Sequence, residues 1–274
     1  MSLTLVGFVS AWTASSVFAQ MPPIQRASIE WVVTGQFCEP ETVLPLPDNT
    51  LLVSNVCGFS KTGSGFLSRL HADGTVRNWR EVDGLDSPLG MALHEDEVYV
   101  VDANRVRVLA LPALAQVRLI ELDTRVANDI AIGHDGTLFV SDSARHQVVQ
   151  VSPSGKQSII GEAGAFTSAN GLAVEGRHVY VGGERLWCVH LDTGQITTIG
   201  PDWLGDIDGI EFERDGSLQI TVVGGPLVRL RNGAYEVIGG EGVSSTNHAY
   251  LPTSQLAVIP TGYDNTVVAV RLSE

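Results

Sequence analysis

A pattern that recurs about every forty residues constrains this chain more than any other feature. A residue that is polar in most copies opens a short apolar stretch, a turn rich in Asp and Gly follows, and a β-rich run comes next. The first copies read Glu41-Thr-Val-Leu-Pro-Leu-Pro-Asp-Asn before Leu51-Leu-Val-Ser-Asn, and Leu89-Gly-Met-Ala-Leu-His-Glu-Asp before Val98-Tyr-Val-Val-Asp. The middle pair is Asn128-Asp-Ile-Ala-Ile-Gly-His-Asp-Gly before Leu138-Phe-Val-Ser-Asp, and Asn170-Gly-Leu-Ala-Val-Glu-Gly before Val179-Tyr-Val-Gly-Gly. The last are Asp208-Gly-Ile-Glu-Phe-Glu-Arg-Asp-Gly before Leu218-Gln-Ile-Thr-Val, and His248-Ala-Tyr-Leu-Pro before Leu256-Ala-Val-Ile-Pro. Their starts at 41, 89, 128, 170, 208 and 248 lie 48, 39, 42, 38 and 40 residues apart. Periods of this length mark repeat architectures.

Each unit continues with third and fourth β-rich runs. Arg105-Val-Arg-Val-Leu-Ala-Leu, Gln147-Val-Val-Gln-Val, Leu186-Trp-Cys-Val-His-Leu and Thr266-Val-Val-Ala-Val-Arg-Leu read as third strands. Val117-Arg-Leu-Ile-Glu-Leu, Ser158-Ile-Ile, Ile196-Thr-Thr-Ile and Tyr235-Glu-Val-Ile read as fourth strands. Turns such as Asp73-Gly74, Thr193-Gly194 and Asn232-Gly233 supply the positive φ that hairpins require. Four antiparallel strands per unit, arrayed radially, make a six-bladed all-β propeller. The sixth unit lacks a fourth strand, and Ser28-Ile-Glu-Trp-Val-Val-Thr34 lies unassigned before the first. Pairing it with residues 266–272 closes the ring, giving one propeller domain over residues 27–272. An open solenoid would leave both end units uncapped.

Composition narrows the partners. Seventeen basic against 31 acidic groups give a net charge of −14, which argues against a nucleic-acid partner, since phosphate recognition needs clustered Lys and Arg. Residues 3–18 are apolar or small, and Val17-Phe18-Ala19 before Gln20 resembles a signal-peptidase site, although no basic residue precedes Arg26. Residues 1–19 are therefore expected to be a leader, and the mature chain to be periplasmic or secreted. No other run approaches the ~20 apolar residues of a membrane helix, so no membrane partner is expected for the mature chain. Cys38 and Cys57 flank a hairpin turning at Pro47-Asp48-Asn49, which places position 38 opposite position 58. A disulfide between them is geometrically plausible, and two free core thiols are the alternative. Cys188, in an alternating strand, reads as core.

The first strand of each propeller blade lines the central channel, so the six aligned positions Glu41, Leu89, Asn128, Asn170, Asp208 and His248 form a ring. Two carboxylates and two amide oxygens converging on one axis repel each other unless a cation sits between them. Such an oxygen set suits Ca²⁺ better than zinc. Three independent turns at Asn128, Asn170 and Asp208 are the alternative, since Asn and Asp cap turns readily. His248 could move a proton if it faced the channel, or simply bond its neighbours if buried. Asp129 reads as a supporting carboxylate behind the ring and Arg125 as a solvated loop charge. Trp187, Trp203, Tyr180 and Tyr250 read as blade packing.

With these residues in place, the chain resembles the gluconolactonase and regucalcin (senescence marker protein) superfamily of six-bladed propellers, and more distantly paraoxonase and diisopropyl fluorophosphatase. The resemblance rests on Pro40-Glu41-Thr42-Val43 with Val53-Ser54-Asn55, on Asn128-Asp129, on Asn170-Gly171-Leu172-Ala173 and on Asp208-Gly209-Ile210. It implies one catalytic divalent metal held by Glu41, Asn128, Asn170 and Asp208. It also implies Asp208 as general base, with a weaker match placing His248 near the channel. The regucalcin-type Arg two residues before the first metal-binding Asn is replaced here by Val126, which puts sugar-lactone specificity in question. The expected function is calcium-dependent hydrolysis of an ester-like bond in a small molecule, most simply a lactone. A metal-braced binding scaffold and a lyase opening a cyclic ester are the alternatives. No G-x-S-x-G elbow offers a nucleophilic serine.

Overall fold

Alternating apolar residues punctuated by Gly- and Asn-bearing turns give the chain strands and, among the described residues, no helix. The structure, a computed structural model, describes residues 28–59, 62–201, 203–239 and 245–272. The leader expected over residues 1–19 lies outside them. Strand β1 (Ser28–Thr34) precedes the first blade, built of β2 (Pro40–Pro45), β3 (Thr50–Asn55), β4 (Gly65–His71) and β5 (Val76–Leu85). Blade 2 comprises β6 (Pro88–His94), β7 (Glu97–Asp102), β8 (Arg105–Ala110) and β9 (Ala115–Glu121). Blade 3 comprises β10 (Ala127–Ile132), β11 (Leu138–Asp142), β12 (Gln147–Val151) and β13 (Gln157–Ile160). Blade 4 comprises β14 (Leu172–Glu175), β15 (His178–Val181), β16 (Leu186–His190) and β17 (Ile196–Ile199). Blade 5 comprises β18 (Ile207–Phe212), β19 (Leu218–Val222), β20 (Leu227–Arg231) and β21 (Ala234–Gly239). Blade 6 contains β22 (Ala249–Leu251), β23 (Leu256–Thr261) and β24 (Thr266–Arg271), and β1 completes it.

All six sheets are four-stranded and antiparallel, so the propeller read from the repeat is the fold observed. Closure is also as expected: β1 pairs with β24 from Ser28 opposite Arg271 to Thr34 opposite Thr266. Burial is greatest in the second strand of the blade, as β3 against the partly exposed β2 shows, and falls towards the outer edge. Strand β3 is buried at every position, whereas β9 and β17 are almost wholly exposed. The apolar side chains collect into six clusters, one at each contact between neighbouring blades. Val106 and Val108 of blade 2 meet Ile130 and Val140 of blade 3, while Val43 and Val53 of blade 1 meet Val258 and Val267 of blade 6. Stability therefore comes from sheet faces packed against each other round a full circle, each buried methylene contributing ~0.8 kcal/mol.

A repeated irregularity prepares the channel. In blades 1, 2 and 3 the pairing of the first two strands slips by one residue, between Pro40 and Val43, Pro88 and Met91, and Ala127 and Ile130. Blade 5 slips between Ile207 and Gly209. Each slip is a β-bulge, in which an extra residue leaves the ladder and the strand bends. The extra residues include Glu41, Leu89, Asn128 and Asp208.

Candidate functional site

At Glu41, Asn128 and Asp208 the N–H of the following residue goes to a side-chain hydroxyl instead of a ladder carbonyl. Thr42 N–H donates to Ser54 Oγ at 2.9 Å, Asp129 N–H to Ser141 Oγ at 2.9 Å, and Gly209 N–H to Thr221 Oγ1 at 2.9 Å. These hydroxyls also stitch blades together, since Ser54 Oγ donates to the Leu89 carbonyl and Thr221 Oγ1 to the Thr246 carbonyl, both at 2.8 Å. The last residue of the second strand fixes the entering loop. Asp102 Oδ1 accepts from the Asp86 and Ser87 amides, and the Asp142 carboxylate from the Arg125 and Val126 amides. Glycine after the ring residue lets the strands converge: a Cβ on Gly171 would lie 2.0 Å from the Asp208 carbonyl oxygen.

Five of the six aligned positions, Glu41, Leu89, Asn128, Asn170 and Asp208, line one cavity of about 230 Å³ at the mouth of the channel. Seven buried side-chain polar atoms lack a hydrogen-bond partner among the described residues, and four of them belong to this ring. They are Asn128 Oδ1, Asn170 Oδ1, Asp208 Oδ1 and His248 Nε2. A buried unsatisfied polar atom costs about 1–3 kcal/mol, so such a concentration calls for a group that they would bind. The Asn128 amide is oriented by the chain itself: its Nδ2 donates to Ser143 Oγ at 3.2 Å, which turns Oδ1 away as a free acceptor. Glu41 Oε2 accepts from Thr42 Oγ1 at 2.6 Å.

The electrostatics match the geometry. Burial pushes the Glu41 carboxyl up to about 7, with the Thr42 hydroxyl opposing the shift. Asp208 is held well above the ordinary carboxylate range, first by burial and then by the charges of Glu41 and Asp129. Asp129 is raised in the same way, although the Leu172 amide donates to its Oδ2 at 2.7 Å and Asn247 Nδ2 to its Oδ1 at 3.0 Å. It thus ties blade 3 to blade 4 and, across the channel, to the segment that leads into blade 6. Glu211 is pushed up to about 7 by burial and lies with Asp129 and Asn247 on a second cavity along the inner strands.

These carboxylates disfavour one another's charge, which a bound cation would relieve. The donor set of one glutamate, one aspartate and two amide oxygens is hard and suits Ca²⁺. Among the described residues no group of three or more His, Cys, Asp or Glu gathers at metal-binding spacing; the ring itself offers two carboxylates and two amide oxygens.

His248 is fully buried behind the cavity wall, not on it, and burial lowers its pKa to about 3. Its Nδ1 lies 3.3 Å from Thr221 Oγ1. That hydroxyl already gives its proton to Thr246, so Nδ1 carries the hydrogen and Nε2 keeps a free lone pair. Arg125 is exposed, as expected of a loop charge. Trp187 packs on Phe166, Tyr180 on Phe212 and Trp203 on Tyr235, all as blade packing. Cys188 is free and half-buried, less enclosed than its alternating strand implies, and lies opposite Tyr180 of β15. Cys38 and Cys57 are joined in a disulfide with Cα atoms 5.0 Å apart. The bond clasps the loops that carry Glu39 and Phe59 to the cavity. Phe59 and Tyr263, both in turns, are wall residues that sequence reasoning missed, since nothing in a turn's composition says which rim it faces.

A larger concavity of about 610 Å³ lies between blades 3 and 4, where His134 and His190 line it. None of the orphaned ring atoms reaches it.

Fold and site together define a class: a closed six-bladed β-propeller with a ring of oxygen donors in its axial channel. No family model matches the sequence, and no curated protein matches it. Solved six-bladed propellers do. One, described as a candidate gluconolactonase, superposes with a TM-score of 0.69 over 94% of this chain and 98% of its own, at 16% identity. A streptogramin B lyase gives 0.64 over 89% of this chain and 98% of its own, at 10% identity. A catalytically inactive His-to-Ala variant of virginiamycin B lyase from Staphylococcus aureus, solved with quinupristin, gives 0.61 over 89% and 99%, at 12% identity. At such identities the likeness establishes the fold alone.

Proposed function

We propose that this chain is a divalent-metal-dependent hydrolase of an ester-like bond in a small molecule, a lactone being the simplest substrate. The observation that carries the reading is the convergence of the three unpartnered oxygens of Asn128, Asn170 and Asp208 on the cavity that Glu41 shares. These four residues would hold the ion, with Ca²⁺ the best fit to their chemistry. Bound there, it would supply Lewis-acid polarisation of a carbonyl and stabilisation of the developing oxyanion.

The chain's own residues do the rest. Asp208 takes a proton from the attacking water as the general base of the set. The water oxygen bonds to the acyl carbon, the acyl carbon–oxygen bond breaks, and the proton passes to the departing alkoxide. Leu89 and Val56 keep bulk water off one side of the cavity. His248 stays neutral and holds Thr221, which in turn holds the Gly209 amide beside Asp208, so its part is positioning. Export fits the Cys38–Cys57 disulfide, which persists in oxidising compartments.

The test is a Ca²⁺ titration of chelated protein, followed by melting and by turnover of a lactone and ester panel. A ligand that binds only the native state adds about 2.7 kcal/mol at a hundredfold excess over Kd. A rise in Tm is expected, with turnover that needs the ion and falls at least about 100-fold in Asp208→Ala. A Tm rise without turnover would leave only a metal-braced scaffold, and no rise would remove the metal altogether. The lyase neighbours favour one second reading, elimination from a cyclic ester. Product analysis separates it, because elimination leaves an alkene and hydrolysis an alcohol.

A further inference from the structure

Two aromatic side chains stand out among the described residues for their exposure, Phe59 at 68% and Tyr263 at 84%. No other aromatic is comparably exposed among those residues, and both line the cavity that holds the ring. Phe59 sits in the loop after β3 of blade 1, and Tyr263 in the β23–β24 turn of blade 6. Val223 of neighbouring blade 5, 38% exposed, continues the same side of the mouth, and Val56 and Leu89 carry the apolar surface inwards. Leaving such rings in water is unfavourable unless something covers them.

The polar wall is already engaged. Ser245 Oγ donates to the Val222 carbonyl at 2.8 Å and Thr246 Oγ1 to the Pro260 carbonyl at 3.1 Å. One carboxylate oxygen of Glu39 accepts from the Gly58 amide at 2.6 Å. A polyhydroxylated ligand would therefore find few free partners outside the ring. The charged wall residues among those described are Glu39, Glu41 and Asp208, all acidic, and no Lys or Arg is among them. With Glu41 and Asp208 offset by the ion they would hold, Glu39 remains the acidic group at the mouth among the described residues and disfavours an anionic ligand. At about 230 Å³ the cavity is also smaller than the ~300–1,000 Å³ typical of drug-sized ligands.

We propose that Phe59, Tyr263 and Val223 form a specificity wall, and that the substrate is an uncharged lactone or ester bearing a short alkyl or aryl substituent. A sugar lactone is the class this wall excludes. The inference rests on the hydrolase reading for its catalytic half but not for its binding half. The disulfide gives the wall its footing, because Cys57 is tied to Cys38 two residues before Phe59.

The experiment uses the Ca²⁺-loaded protein with δ-lactones carrying no substituent, methyl, propyl, pentyl or phenyl, and with glucono-δ-lactone. Expected is a rise in kcat/KM of up to about fourfold for each methylene that becomes buried. Glucono-δ-lactone should be the poorest substrate, and the dependence on chain length should flatten in F59S and Y263S. A flat series in the wild type, or preference for glucono-δ-lactone, overturns the proposal. If no lactone or ester is turned over, the hydrolase reading fails, and binding of the uncharged dye N-phenylnaphthylamine decides the wall by itself. At least fivefold weaker dye binding in the two variants upholds it, and equal binding overturns it.

Discussion

Asn128 and Asn170 matter here as carbonyl oxygens, and for Asn128 the chain decides which end of the amide faces the axis, because Ser143 takes its Nδ2. Ser143 can do so because its own proton goes to the Ala169 carbonyl at 2.6 Å. Glu41 illustrates the electrostatic cost of such a ring. Its carboxyl is ordinary in the unfolded chain, near 4.5, and rises to about 7 when folded. The folded state thus binds the proton more tightly. The resulting penalty is absent below pH 4.5, grows with pH, and is complete above about 7. Chelated Glu41→Gln protein should lack that slope, gaining up to about 3 kcal/mol over chelated wild type at pH 8 and nothing at pH 4.5. Urea unfolding at the two values checks it, and a gain equal at both would refute the linkage. In wild type, the proton on Glu41 should also weaken Ca²⁺ binding as pH falls below 7.

At the scale of the strand, the bulge is the device that makes a site. A regular ladder would turn the innermost strand's side chains alternately towards the two neighbouring blades and present only its backbone edge to the channel. The slip instead releases an extra residue, and Ser54, Ser141 and Thr221 accept the amides it frees. The repeat exposes the ring register in the sequence because Glu41, Asn128 and Asp208 stand at one offset from the β-rich run that follows. The slip is not legible, since it depends on which backbone pairs survive when blades converge. Strand β5 shows the same limit: its run Val-Arg-Asn-Trp-Arg-Glu-Val-Asp has no clean alternation, and β4 and β5 pair with three register shifts. Gly171→Ala tests the convergence. The new Cβ would press on the Asp208 carbonyl, so a loss of about 3 kcal/mol is expected, read by urea unfolding. A near-neutral result would mean that blades 4 and 5 part easily.

The whole molecule is a circle without a seam, because the number of apolar clusters equals the number of blades. The first and last blades meet through Val43, Val53, Val258 and Val267, and β1 binds the two ends of the chain together. The Cys38–Cys57 bridge adds a second restraint beside that closure, spanning 19 residues. Cys38→Ser should cost about 3 kcal/mol, the loop entropy of such a span, in urea unfolding under oxidising conditions. No change would mean that the hydrogen bonds given by the Gly58 amide to the Glu39 carboxylate and by the Glu39 amide to Asn265 Oδ1 hold the loop alone. The sequence by itself determined the six units, their four-strand composition, the closing strand and the six aligned positions. Those are properties of local alternation and turn chemistry, which repeat along the chain. Only the tertiary structure decided that Asn128, Asn170 and Asp208 keep unpartnered oxygens, that His248 lies behind the cavity, and that Phe59 and Tyr263 share its rim. Burial and convergence join residues as distant as Glu39 and Asn265, 226 positions apart, and are fixed only when the blades close round one axis.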